Sequence, residues 1–201
     1  TNETLWFRDN SFFNGLTDVI IPQLIELSKK QSKVRIWSAA SSTGQEPYSV
    51  AMLIDHVGRK KNINFDINKF SILGTDISPT ALQNAKMARY SQMTISRGMR
   101  KDFLAKYFVK QGAVYEVAPN IRSIVTFKPF NLKDSFRTLG KFDLILCRNV
   151  LIYFSDDFKS QIFTKMRSTL SQTGYLAIGA SESPRGLTTD FKQVRAGQSV
   201  L

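Results

Sequence analysis

The chain predicts an α/β fold, a mostly parallel sheet with helices on both faces. Three observations carry that expectation. Short apolar runs alternate with stretches of helical period along the chain. The run Phe142–Cys147 is almost continuously apolar, as a strand buried on both faces must be. The stretch Val34–Tyr48 reads as strand, turn of small residues, then helix, a geometry that lets backbone approach a nucleotide-like ligand closely.

In chain order, Thr1–Arg8 is polar and aromatic and precedes a helix on which Phe12, Phe13, Leu16, Val19, Ile20, Leu24 and Leu27 recur at helical spacing. Pro22 kinks that helix or starts a second one, because it has no amide hydrogen to give. Val34–Trp37 is the first strand, and Ser38–Gly44 contains small residues only. Pro47 suits the first turn of a helix running to Gly58, and Arg59–Asn68 reads as a surface loop. The strict Gly-x-Gly-x-x-Gly fingerprint is absent: Gly44 is the lone glycine, and Ala39 and Ala40 stand where a first glycine would. By itself the turn is equally consistent with an ordinary crossover. Glu46, at the helix start, favours a ligand bearing hydroxyls or positive charge over a pyrophosphate.

Phe70–Ile77 is the second strand, closing in Asp76; Ser78 and Pro79 then open a helix to about Ala88 as cap and first residue. An acid at this strand end accepts hydrogen bonds from both hydroxyls of a ribose, or else satisfies nearby backbone donors. Met93–Phe108 reads as loop then helix. Ala113–Val117 belongs to a small β extension spanning about residues 109–124, and Ile124–Phe130 joins the sheet, closed by Asn131 and Leu132. Lys133–Gly140 is a loop. After Phe142–Cys147, the best central strand, Arg148 and Asn149 sit where open α/β sheets place their chemistry. Ser155 caps a helix Asp156–Leu170, Gly174–Gly179 is a strand, and Phe191–Val194 with Gln198–Leu201 forms a closing antiparallel pair. Repeats and linkers are absent, so residues 1–201 read as one domain, with residues 1–30 an N-terminal segment and helix.

Composition narrows the function. The 42% hydrophobic and 22% charged content of 201 residues fits a globular chain with a sizeable core. No apolar run approaches the ~18–20 residues that cross a bilayer, and no signal peptide is visible. A single cysteine, Cys147, suits a reducing cytoplasm. With one histidine, it leaves too few soft ligands for a structural zinc site, so no metal is expected. His56 sits mid-helix, far from every candidate motif, and reads as structural. The net charge of +12 points to an acidic partner, yet the basic residues are scattered in short clusters rather than a nucleic-acid-binding ladder.

Five segments together resemble the chemotaxis receptor methyltransferases, the CheR family: Asn2-x-Thr4-x-x-Phe7-Arg8, Arg35–Ser49, Ile72–Ser78, Phe142–Phe154 and Gly179–Ser183. The resemblance covers nearly the whole chain in order. It implies a Rossmann-like S-adenosylmethionine-dependent methyltransferase fold with a mostly parallel, seven-stranded sheet. It also implies methyl transfer to glutamate side chains of methyl-accepting receptors, giving methyl esters and S-adenosylhomocysteine. Carried over by position, Asn2, Thr4, Arg8, Ala39, Gly44, Glu46, Asp76, Asn131, Leu132, Arg148 and Asn149 contact the cofactor. Arg148 and Tyr153 orient the incoming carboxylate, and Tyr153 is equally readable as packing. Gln45 and Ala180 depart from the family's usual Glu and His without touching the cofactor pattern. The partner implied is the cytoplasmic helical region of the receptors. A helical N-terminal domain of the family is missing from this sequence. The short Lys110–Val114 segment argues against use of a receptor C-terminal pentapeptide as a tether.

The chemistry needs no general base, since a glutamate side chain with an ordinary pKa of about 4.3 is already ionised at neutral pH. Two other readings compete with this one. A nucleic-acid methyltransferase on the same fold lacks here both the Asn/Asp-Pro-Pro-aromatic motif and a Pro-Cys loop. A non-catalytic cofactor-binding module is opposed by Glu46, Asp76, Arg148 and Asn149 standing together.

Overall fold

The computed structural model describes residues 3–61, 65–196 and 199–200. In chain order the elements are α1 (Asn10–Gly15), α2 (Ile21–Ser28), β1 (Val34–Ala39), α3 (Gln45–Lys61), β2 (Phe70–Asp76), α4 (Pro79–Met87), β3 (Arg89–Ser91), α5 (Gln92–Ser96), α6 (Lys101–Tyr107), β4 (Phe108–Gln111), β5 (Val114–Val117), α7 (Pro119–Arg122), β6 (Val125–Pro129), β7 (Phe142–Cys147), α8 (Asp156–Thr169), β8 (Leu170–Ile178), β9 (Arg195–Ala196) and β10 (Ser199–Val200).

Strands β6-β2-β1-β7-β8 form a sheet in that order, parallel at every pairing. Alternation along its inner strands divides the core in two. Val34 and Ile36 of β1, with Leu144 and Leu146 of β7, join a cluster containing α2 and α3 residues such as Leu24 and Ile54. Trp37 and Ala39, with Ile145 and Cys147, face the other way, onto Ile162, Phe163 and Met166 of α8. Helices cover both faces, so β7 carries no polar alternation and every one of its residues is buried. The centre of the sheet is β1, with β7 beside it.

The sheet has five strands among the described residues, not seven. The closing antiparallel pair exists, shifted to β9 and β10, but it forms a ladder of its own and packs near α1. Residues 197, 198 and 201 lie outside the described residues. The small β extension is a three-stranded sheet, β3-β5-β4, whose outer strands carried too little apolar alternation to be read from sequence. Helix α3 begins two residues before Pro47 and runs through Arg59–Lys61, where a loop was expected. Those cations complement the negative end of the helix. At Pro22 the expected kink takes the form of a π-helical turn over Leu16–Ile20, in which the Ile21 amide reaches back to the Leu16 carbonyl. Ser78 caps α4 through the Ala81 amide, whereas the Ser155 side chain makes no capping bond to α8.

The segment leading into α1 lies across the molecule. The Trp6 amide donates to the Arg97 carbonyl at 3.1 Å, and the Trp6 ring meets Tyr90 and Phe108 edge-on at 4.8 and 5.3 Å. Gly98 makes this approach possible: its φ is +100°, and a Cβ there would lie 2.2 Å from the Trp6 carbonyl oxygen. Gly98→Ala is therefore expected to cost more than ~1 kcal/mol. The thermal midpoint should fall by at least about 2–4 °C, read by calorimetry.

Candidate functional site

The chain runs outward from β1 to β2 and β6, then returns to the other side at β7. The crevice beyond the carboxyl ends of these strands is where a parallel sheet opens to a ligand. A cavity of about 340 Å³ lies there, lined by the ends of β1, β2 and β7, the segment after β6 and the N-terminal segment. Thr4, Arg8, Glu46, Asp76, Asn131, Leu132, Arg148, Asn149 and Tyr153, all singled out from sequence, share its wall. Asn2 lies outside the described residues.

Ala39 and Gly44 are not on that wall. Ala39 turns into the core cluster around Trp37. Gly44 is required by packing: with φ +94°, a Cβ would stand 3.0 Å from Ala85 Cβ, 3.1 Å from Tyr90 Oη and 3.2 Å from Phe127 Cζ. Their neighbours Ala40, Ser41 and Ser42 line the cavity instead. Ala40 and Ser42 hold φ of +57° and +50°, which turn the loop backbone inward.

Asp76, at the end of β2, is 6% exposed. Its Oδ2 accepts from the Ser42 amide at 2.8 Å and its Oδ1 from the Ser78 amide at 2.9 Å. The carboxylate thus pins the β1 loop to the start of α4. Each oxygen keeps a second lone pair, so two further donors can be met.

Arg148 and Glu46 form the charged floor. The Arg148 side chain is 2% exposed and its Nη1 lies 3.1 Å from Glu46 Oε2. Its Nη2 donates to the Arg8 carbonyl at 2.8 Å, and the guanidinium lies 3.9 Å from the centre of the Phe12 ring. The other Glu46 oxygen accepts from the Ser38 hydroxyl at 2.8 Å. The positive partner that the position of Glu46 called for is therefore supplied within the chain by Arg148, which turns inward and away from the mouth. Tyr153, 60% exposed, stands at the mouth.

Two charged residues outside the sequence-derived set shape the walls. Lys165 of α8 donates to the carbonyls of Lys133 and Asp134 at 2.8 and 3.1 Å, gathering the segment that carries Asn131 and Leu132. Glu182 collects backbone amides of the turn after β7. Lys165 offered no signal beyond a basic residue on a helix. Glu182 lies within Gly179–Ser183, but its partners in the turn after β7 are thirty or more residues away. Phe130 and Ser42, also on the wall, were likewise missed.

His56 and Cys147 do not line the cavity. The His56 ring lies 5.1 Å from Phe103, and partial burial, then Lys106 and Arg100, hold its pKa below the ordinary value. Burial pushes the Cys147 thiol well up, and Glu182 and Glu46 add to that, so it is no nucleophile at neutral pH. Among the described residues no group of three or more His, Cys, Asp or Glu is placed to hold a metal ion.

The donor set fits a ligand with a dihydroxylated ring between an apolar ring and a zwitterionic tail. Asp76 can accept from hydroxyls; Ile77, Phe130 and Leu132 offer apolar surface beyond β2 and β6, and Glu46 and Asn149 offer polar groups beyond β1 and β7. Ser41 is on the same wall, and its hydroxyl is buried with no hydrogen-bond partner among the described residues. A buried polar atom of that kind is costly unless a ligand or water meets it.

Over residues 2–200 the chain matches the model of the CheR methyltransferase, SAM binding domain. It is 44% identical over 202 residues to the chemotaxis protein methyltransferase Cher2 of Pseudomonas putida, covering 100% of this chain and 73% of that protein. Chemotaxis protein methyltransferase 1 of Vibrio cholerae is 43% identical over 202 residues, covering 100% of this chain and 72% of that one. Among solved structures, PKMT2 from Rickettsia typhi in complex with AdoHcy aligns with a TM-score of 0.47 and 19% identity, over 82% of this chain and 24% of that chain.

Proposed function

Since this chain belongs to the CheR family of S-adenosylmethionine-dependent chemotaxis methyltransferases, we propose that it esterifies glutamate side chains on the cytoplasmic helices of methyl-accepting chemotaxis receptors, a step in adaptation. The observation that carries the reading is the grading of one cavity, from apolar (Phe130, Leu132) through the acid Asp76 to the Glu46–Arg148 pair, open beside Tyr153. When bound, S-adenosylmethionine supplies an electrophilic methyl group.

The residues of this chain bind and align. Asp76 accepts from the ribose hydroxyls while holding the Ser42 and Ser78 amides. Phe130 and Leu132 flank the adenine side, and Thr4, Arg8 and Asn149 the methionine side. Arg148 is a positioning residue: it ties Glu46 to the Arg8 carbonyl and so fixes the N-terminal segment over the cavity. Tyr153, at the mouth, meets the incoming carboxylate. No proton has to be taken from a glutamate already ionised at neutral pH. The rate then comes from alignment and from excluding water around the nucleophile. The net charge of +12 suits approach to acidic receptor helices.

The tight β4–β5 connection, with Gly112 at φ +61° and Ala113 as its two residues, supports a reading without a receptor pentapeptide tether. Among the described residues, no helix is long and apolar enough to cross a membrane.

The test is transfer of label from methyl-labelled S-adenosylmethionine to a receptor cytoplasmic fragment. Label released by mild base as methanol, and lost when the receptor glutamates are changed to glutamine, is the expected result. Base-stable label, or transfer to nucleic acid in its place, would overturn the reading.

A further inference from the structure

The turn following β7 runs into a short 3-10 helix at Leu151–Tyr153 whose N-cap residue, Val150, offers no side-chain cap. Its amides are instead gathered by one carboxylate from a distant turn. Glu182 Oε2 accepts from the amides of Gly179 at 2.7 Å and Asn149 at 2.8 Å. Glu182 Oε1 accepts from Val150 at 2.9 Å, Leu151 at 2.7 Å and, more distantly, Ile152 at 3.4 Å. The Glu182 amide donates to the Gly179 carbonyl at 2.9 Å, closing the turn that delivers the side chain. Gly179 is needed for this approach, because a Cβ there would lie 2.6 Å from Glu182 Oε2 and 3.0 Å from the Asn149 amide nitrogen.

We propose that Glu182 is a positioning residue for cofactor binding: its carboxylate holds the backbone of Asn149–Ile152 in the conformation that presents Asn149, Val150 and Tyr153 to the cavity. Three of its amide partners belong to the turn that forms this wall. Asn149 itself sits at φ +59°, a left-handed conformation that Asn adopts more readily than other non-glycine residues and that the clamped amides on either side hold in place. Negative charge at the start of a helical turn also meets the partial positive charge of its unpaired amides. Glu182 itself is absent from the cavity wall, so it acts through the turn rather than on the ligand.

The proposal rests on the cofactor cavity, not on the identity of the methyl acceptor. Its test uses S-adenosylhomocysteine as the probe and no acceptor, so the receptor reading can fail while this one stands, and the reverse. Glu182→Gln keeps the shape but sets an amide –NH2 against backbone N–H groups. Calorimetric titration should show about a tenfold or greater loss of affinity, within the range a displaced binding group produces, while the folded variant keeps its far-ultraviolet circular dichroism. A merely structural role would lower the thermal midpoint and leave the affinity of the folded protein unchanged; that outcome overturns the proposal. Wild-type protein provides a second reading should the variant not fold. Amides of 149–151 should exchange with deuterium as slowly as those of β7, and fast exchange there overturns the clamp.

Discussion

Asp76→Ala is expected to remove measurable binding of S-adenosylhomocysteine. The carboxylate is buried at the end of β2 and both its oxygens already accept one backbone amide. If the second lone pairs receive the two ribose hydroxyls, two charge-assisted hydrogen bonds vanish together. At ~1.5–3 kcal/mol each, the loss is about 3–6 kcal/mol, or roughly 10²–10⁴-fold in Kd. Asp76→Asn should fall between, since its one amide oxygen can still accept while the charge is gone. The calorimetric comparison separates the two readings that the strand end allows. An unchanged Kd in Asp76→Ala would reduce the carboxylate to a brace between the Ser42 and Ser78 amides.

The second large effect lies at Arg148. Arg148→Met should lower stability by about 3–5 kcal/mol, because it leaves the partly buried Glu46 carboxylate without its cation. For a chain of this size that corresponds to a fall of about 6–20 °C in thermal midpoint. Adding Glu46→Gln should restore part of the loss, since the uncompensated charge is then gone too. Cofactor affinity should not return with it, because the link from the floor of the cavity to the Arg8 carbonyl stays broken. Arg148→Lys should resemble the methionine variant more than the wild type. An ammonium cannot reach Glu46 and the Arg8 carbonyl as a fork while keeping its charge over the Phe12 ring. A double variant that regains both stability and affinity would contradict the positioning role given to Arg148.

Much of the architecture was legible because its signals are local. The nearly continuous apolar run at Phe142–Cys147, interrupted only by Asp143, marked β7, and the two core clusters explain why it lacks alternation. Ser78 and Pro79 marked the start of α4 by capping chemistry that needs only neighbouring residues. Where the structure differs, tertiary packing outweighed a local rule. Gly58 did not end α3, and Pro22 produced a π-helical turn within an otherwise continuous helical segment. The small β extension was legible at β5, but its outer strands β3 and β4 escaped because they are short and mostly exposed.

The sequence by itself determined the alternation of the principal strands β1, β2, β6, β7 and β8 with their helices along the chain, and placed Asp76, Arg148 and Asn149 at strand ends. Those follow from periodicity, caps and the rule that parallel sheets open at their carboxyl edge. Only the tertiary structure decided which side chains face the cavity and which hold its walls. Gly44 answers to Ala85, Tyr90 and Phe127; Arg148 turns inward to Glu46; Lys165 and Glu182 reach across the fold to bind carbonyls and amides of the two bounding turns. Each of these depends on a distance between residues far apart in the chain, and that distance is set by how the helices pack on the sheet.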